Sequence, residues 1–282
     1  MKLVTSALAL TAITAVIGCG SKSAPSGATA PSAAGVASGP IGATTTVAAT
    51  GPVDSAALAK AGEFAKELQA GKLKAAMLTP AFKKLIAPAT TEADKAQGWS
   101  DWGAESWLAE HAKGVSTDQA KGLMLDANTT LVTAKSAAGR TLMRLVKSGS
   151  TYLIDWIDVT TAVAEFDFSQ APAPAFAAVA FLDATLTKQS RLAESLLAPA
   201  GAAKLAPPLD ELDAKRGYNA GIMGIKLSNF GSAATGATNL KLVKDAAGYV
   251  LTCDVVHGEG RPFIIKLALV DGVWLVDTFM PN

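Results

Sequence analysis

Apolar positions along this chain follow a helical period and then a strand period, and the switch occurs twice. After Asp54, residues Leu58, Ala61, Ala65 and Leu68 recur at helical spacing. Asp54 is placed to cap the first turn and Gly71 to end the helix. A short helix is predicted around Leu73, Ala76 and Met77, and another from Pro80 through Ile86, stopped by Pro88. Asp101 is read as the cap of a helix running from Trp102 to about Lys113. Alternating, β-rich runs follow at Leu123–Leu125, Thr129–Lys135, Arg140–Lys147 and Thr151–Val159, divided by Ala137-Ala138-Gly139 and Ser148-Gly149-Ser150.

The second pass has the same order. Helical pattern covers Phe176–Leu186, Leu192–Leu197 and Pro199–Leu205. Strand pattern covers Leu240–Lys244, Tyr249–Val256, Arg261–Val270 and Val273–Met280. Its turns are Asp245-Ala246-Ala247-Gly248, His257-Gly258-Glu259-Gly260 and Asp271-Gly272, the last a strong hairpin signal. Residue matches support a duplication. At a shift of 119, Leu73, Leu78, Pro80, Ala81, Ala87 and Pro88 fall on Leu192, Leu197, Pro199, Ala200, Ala206 and Pro207, and Gly98-Trp99 falls on Gly217-Tyr218. Gly139-Arg140 matches Gly260-Arg261 at a shift of 121. Tyr152-Leu153-Ile154-Asp155 matches Trp274-Leu275-Val276-Asp277 at 122. A unit of this length is domain-sized, far longer than a solenoid repeat.

Helices before strands, segregated, define an α+β class, with three consecutive hairpins making an antiparallel meander in each unit. The expected organisation is a leader over 1–18, a tether over 19–53, a first α+β domain over 54–160, a linker over 161–171 and a second α+β domain over 172–282. The order of helices and then a meander ending on Tyr152-Leu153-Ile154-Asp155 or Trp274-Leu275-Val276-Asp277 resembles the cone-shaped fold of the nuclear transport factor two and ketosteroid isomerase superfamily. That resemblance implies two tandem cone-like domains, each with N-terminal helices packed on a curved antiparallel sheet. It implies no particular activity, because the fold hosts enzymes, binders and scaffolds.

The amino terminus carries a separate signal. Lys2 precedes an apolar run from Leu3 to Ile17, followed by Val16-Ile17-Gly18-Cys19. This resembles the lipobox of bacterial lipoproteins. The resemblance implies cleavage between Gly18 and Cys19 and a diacylglycerol on the Cys19 sulfur, which suffices for stable membrane anchoring. The alternatives are a plain secretory signal, or a span, for which the run is shorter than the ~20 residues needed. Gly20 stands where an aspartate would retain a lipoprotein in the inner membrane, so an outer-membrane location outside the cytoplasm is expected in a diderm cell. Gly20–Val53 is rich in Ser, Ala, Gly, Pro and Thr, and without an aromatic residue it cannot offset its ordering entropy. A flexible spacer of this length has a reach of roughly 30 Å.

Charge removes one class of partner. The chain holds 25 basic and 24 acidic residues, with no basic stripe, so no nucleic-acid partner is expected. The two cysteines are Cys19 and Cys253; with Cys19 lipidated no disulfide can form, and each domain must rely on its core.

Candidate chemistry is sparse. Asp155 and Asp277 sit in equivalent places within apolar strands. A desolvated carboxylate there could serve as a general base. The competing reading places Asp155 opposite Ile154 and Trp156, paired with a base such as Arg144. Trp99, Trp102 and Trp107 crowd one segment and, with Tyr218, are candidates for lining a ligand cleft or for packing helices on the sheet. Cys253, Asp254 and His257 do not make a metal set, because a strand sends the first two to opposite faces; His111 stands apart. Cys253 reads as a small core residue. No phosphate loop, serine elbow or zinc-binding helix motif is present, and no metal or cofactor is expected. The favoured expectation is a lipid-anchored envelope protein acting as a non-catalytic binding or interaction module for a small ligand or envelope protein. The alternatives are an isomerase-, dehydratase- or hydrolase-type enzyme using an aspartate base, and a purely structural assembly protein.

Overall fold

The computed structural model describes residues 53–72, 74–136, 139–160, 162–232, 234–255 and 261–281. The leader, Cys19 and nearly all of the tether lie outside them, as do Leu73, the Ala137-Ala138 turn and the His257 loop.

Two four-stranded antiparallel sheets, each preceded by helices, give an α+β architecture. The first half holds α1 (Ser55–Gln69), a 3₁₀ turn (Ala75–Met77), α2 (Pro80–Ile86), α3 (Glu92–Gln97) and α4 (Asp101–His111). Strands β1 (Asp118–Met124), β2 (Thr129–Ser136), β3 (Gly139–Ser148) and β4 (Thr151–Thr160) pair in sequence order. The second half repeats this with α5 (Pro172–Leu186), α6 (Ser190–Ser195), α7 (Pro199–Leu205), α8 (Glu211–Arg216) and α9 (Ala220–Ser232). Its meander is β5 (Ala237–Lys244), β6 (Tyr249–Val255), β7 (Arg261–Val270) and β8 (Val273–Pro281).

The local causes are the expected ones in several places. The Asp54 carboxylate accepts from the Ala56 N–H at 2.9 Å and caps α1. Thr79 caps α2, with Pro80 preset for the first turn. At the β7–β8 hairpin Asp271 and Gly272 both have positive φ, 49° and 82°, as a type I′ turn requires. Elsewhere the pattern misled. Ser100 rather than Asp101 caps α4, accepting from Gly103 N–H, and the helix ends at His111. Helices α3 and α8 lack an apolar stripe and rest on side-chain caps, a Thr91–Asp94 capping box and Asp210. Helix α9 is obscured by Gly221 and Gly224, which lower helix propensity.

The two halves share small irregularities as well as element order. Both first strands carry a register shift beside a residue of positive φ, Gln119 at 52° and Asn239 at 53°. Both last hairpins carry a bulge, and the extra residue is Asp155 in one and Asp277 in the other. The bulge overturns simple alternation on β4: Ile154 opposes Leu145 and Trp156 opposes Arg144, so Ile154 and Trp156 face opposite sides of the sheet.

Helix α5 joins the halves. Every residue of it except Ala173 is buried, which an amphipathic surface helix would not show. Phe181 packs on Phe279 of β8 with centroids 5.1 Å apart. Phe176 meets Trp156 of β4 edge-on at 5.9 Å. The helix therefore lies between the two sheets, and one continuous apolar cluster runs through both halves. On α1, by contrast, Ala59, Glu63 and Lys66 are exposed, so the first helix keeps a solvent-facing side.

Candidate functional site

A half-open cleft of about 940 Å³ lies at one end of the first sheet. Its floor comes from the face turned toward α5. Lys121 pairs across to Thr133, Lys135 to Arg140 and Arg140 to Thr160, so side chains from all four strands converge there. The segment leaving β4 forms the other wall with Phe166 and Phe168, whose rings meet edge to face at 5.4 Å. That segment is pinned to the second sheet, where Ala164 N–H donates to the Ala237 carbonyl and Ala237 N–H to that of Ala162. Cations Lys121, Lys135 and Arg140 stand on the strand side; carboxylates Glu165 and Asp167 stand on the segment side.

Beneath the cleft sits a buried polar cluster. Thr160 Oγ1 donates to an Asp183 carboxylate oxygen, joining β4 to α5. Asp158, two residues back on the same face, lies within hydrogen-bonding reach of Asp183. Asp183 is fully buried and Asp158 nearly so. Burial, and then the neighbouring Asp183 charge, push the Asp158 carboxyl well above the ordinary carboxylate range. The Oδ2 atoms of Asp158 and Asp183 are both buried and have no other hydrogen-bond partner. Arg140 supplies the opposite charge. Burial lowers its pKa, while Asp183, Glu165 and Asp158 pull it back up. Its Nη1 donates to the Phe166 carbonyl at 3.3 Å, and its guanidinium lies 5.0 Å from the Phe168 ring centre.

The residues singled out from sequence lie elsewhere. Asp155 is held by Arg144 Nε and Nη2 at 2.9 and 2.6 Å and by Thr79 Oγ1 at 2.7 Å. Its bulge place fits an ion pair at the sheet edge. Asp277 has Ala198 and Lys266 at the corresponding positions, and the backbone there is approached by α7: a β-carbon on Gly201 would overlap the Asp277 carbonyl oxygen. Trp102 is 78% exposed. Trp107 packs on Phe82 and His111. Trp99 donates to Asp101 at 2.8 Å, with Lys83 Nζ 3.5 Å from the centre of its ring. Tyr218 donates to Glu194 at 2.9 Å, and burial together with that carboxylate pushes its hydroxyl to about 12. None of these four aromatic residues lines the cleft. Cys253 is buried in the core, its thiol pushed up to about 12 by burial. Among the described residues no group of three metal-binding side chains converges, and no helix is long and apolar enough to cross a membrane.

The sequence did carry one unread signal for the cluster. Asp183 is the single charge inside the apolar run Phe176–Leu186, and a buried helix keeps such a residue only if it is paired. Searches against protein-family models, curated proteins and solved structures return no match to the chain.

Proposed function

We propose that the chain is a lipid-anchored binding module of a bacterial cell envelope, held by an acylated Cys19 and a long spacer, and that the cleft of its first half takes a small ligand with an apolar body and a charged group. The cleft carries this reading: aromatic residues and a basic strand wall converge on one concave site, the common form of small-molecule sites. Asp155, one of the two candidate bases, is engaged by Arg144 and Thr79, which favours binding over catalysis by that aspartate. The helices-then-meander order and the bulged last strands support a cone-like reading of each half, related to the nuclear transport factor two superfamily.

A usable probe is 8-anilinonaphthalene-1-sulfonate, an aromatic anion. The native protein is expected to bind it with a blue-shifted emission, and both Phe166→Ala and Lys121→Glu to weaken binding about tenfold with near-ultraviolet circular dichroism unchanged. Equal binding by native protein and both variants removes the cleft from the reading. Cys19→Ala is expected to move the protein from the membrane to the soluble fraction; unchanged retention removes the anchor.

A further inference from the structure

Under the cleft lies a buried carboxyl pair, Asp158 and Asp183, that ligand contact does not explain. It sits where β4, β3 and α5 meet, and two residues that contact or face it, Thr160 and Arg140, are also cleft wall. We propose that Asp158 and Asp183 form a proton-operated latch: one shared proton locks α5 to the end of β4 and holds the cleft wall in place, and its loss releases that corner. The proposal adds regulation to the cleft reading, but the latch itself is testable without any ligand.

The groups facing the pair come from every packed element. Asp158 and Thr160 come from β4, Asp183 from α5, Arg140 from β3 and Glu165 from the segment after β4. With one proton on the pair, a single carboxylate faces a single guanidinium. Removing the proton places two carboxylates side by side in a dry site, against one guanidinium that Glu165 also attracts. The repulsion acts between β4 and α5. Since Thr160 is bonded to Asp183 and Arg140 is anchored to the Phe166 carbonyl, the aromatic wall is tied to the same event.

The sign follows from linkage. Asp158 keeps its proton in the folded state above the pH at which the unfolded chain loses it. The pair's contribution to stability is therefore full below the unfolded carboxylate range near pH 4. It falls as pH rises, by up to about tenfold in the folding constant per pH unit, until the folded pair also ionises. The experiment is urea unfolding of the native protein and of Asp158→Asn from pH 4 to pH 9, joined to amide exchange of residues 162–169 corrected for intrinsic rate. Asparagine keeps the shape and can donate to Asp183 without titrating. His111 and all other groups are common to both proteins, so the difference isolates the pair. The native protein is expected to lose stability relative to the variant as pH rises, with exchange in 162–169 several-fold faster at pH 9 than at pH 5, a change the variant lacks. Parallel pH curves with unchanged exchange overturn the latch and leave the ligand reading standing. If Asp158→Asn does not fold, Asp183→Asn gives the same comparison, and the exchange of the native protein alone still decides: no acceleration at pH 9 overturns it.

Discussion

Arg144 on β3 places two N–H groups on one carboxylate oxygen of Asp155, the extra residue in the β4 bulge, at 2.9 and 2.6 Å. The other oxygen accepts from Thr79, so a helix cap, a bulge and a strand are tied at one point. Both charged side chains are about four-fifths buried. Removing the cation leaves a carboxylate without its counter-charge, which costs about 3–5 kcal/mol in full burial and about 1–3 kcal/mol here. Arg144→Ala is expected to destabilise by that amount in urea unfolding. A double-mutant cycle with Asp155→Ala should return a coupling of about 1 kcal/mol or more. A coupling near zero would show that the pair only fills space.

Two glycines in helices should respond in opposite directions. Gly62 in α1 has open space where a methyl group would go, so Gly62→Ala is expected to stabilise by about 0.5–1 kcal/mol. Gly201 in α7 abuts the Asp277 carbonyl, so Gly201→Ala forces α7 from β8 and is expected to cost about 1–3 kcal/mol or more. Thermal unfolding of both variants checks the pair. In the first half the position corresponding to Gly201 is Phe82, which fills the core against Trp107 and Trp156. The halves have thus diverged in how helix meets sheet while keeping the order of their elements.

These comparisons show what the chain disclosed in advance. Capping by Asp54, the extent of α2, the spans of the later three strands in each half and the Asp271-Gly272 hairpin follow from local chemistry, which a linear pattern records; the first strands do not, since β1 begins at Asp118 and β5 at Ala237, before their apolar runs and across a register shift. The Arg144–Asp155 pair was also legible, because the two arms of one hairpin bring those residues together. The burial of α5 was not. Its all-round apolar surface says that something covers it, but the partner is a sheet from the other half. The cleft and the carboxyl pair depend on that packing: Thr160 and Asp183 are 23 positions apart and meet only once α5 lies on the first sheet. Tryptophan crowding drew attention to residues 99–107 because aromatic residues dominate cores and sites alike. There Trp107 closes a helix on Phe82, and Trp99 binds its own neighbour, Asp101.

Cys253 tests core integrity in the second half. Its thiol is buried and its pKa pushed up to about 12, so at pH 8 it is both inaccessible and protonated. Iodoacetamide is expected to leave Cys253 unmodified in the folded protein for as long as the core holds, with peptide mapping separating it from Cys19. In urea above the unfolding midpoint, modification should become complete within minutes. Rapid alkylation under native conditions would mean that β6 opens locally without global unfolding.

The position of α5 sets how the two halves lose structure. Phe176 and Phe181 use one helix to pack on both sheets, and Asp183 adds a buried polar tie to the first. Removing Phe176 deletes an aromatic contact with Trp156 and leaves a cavity between α5 and the first sheet, at a cost of about 3–5 kcal/mol. If the halves were independent bodies, Phe176→Ala would lower the melting temperature of one and leave the other intact, giving two transitions. A shared core makes the whole described body cooperative. Calorimetry of the native protein is expected to show one transition, and Phe176→Ala to shift it downward as a unit. Trp156, on the first sheet, and Trp274, on the second, offer separate optical reports when each is kept as the sole tryptophan. Coincident midpoints from the two would establish that a duplicated fold melts as one body through the helix between its sheets.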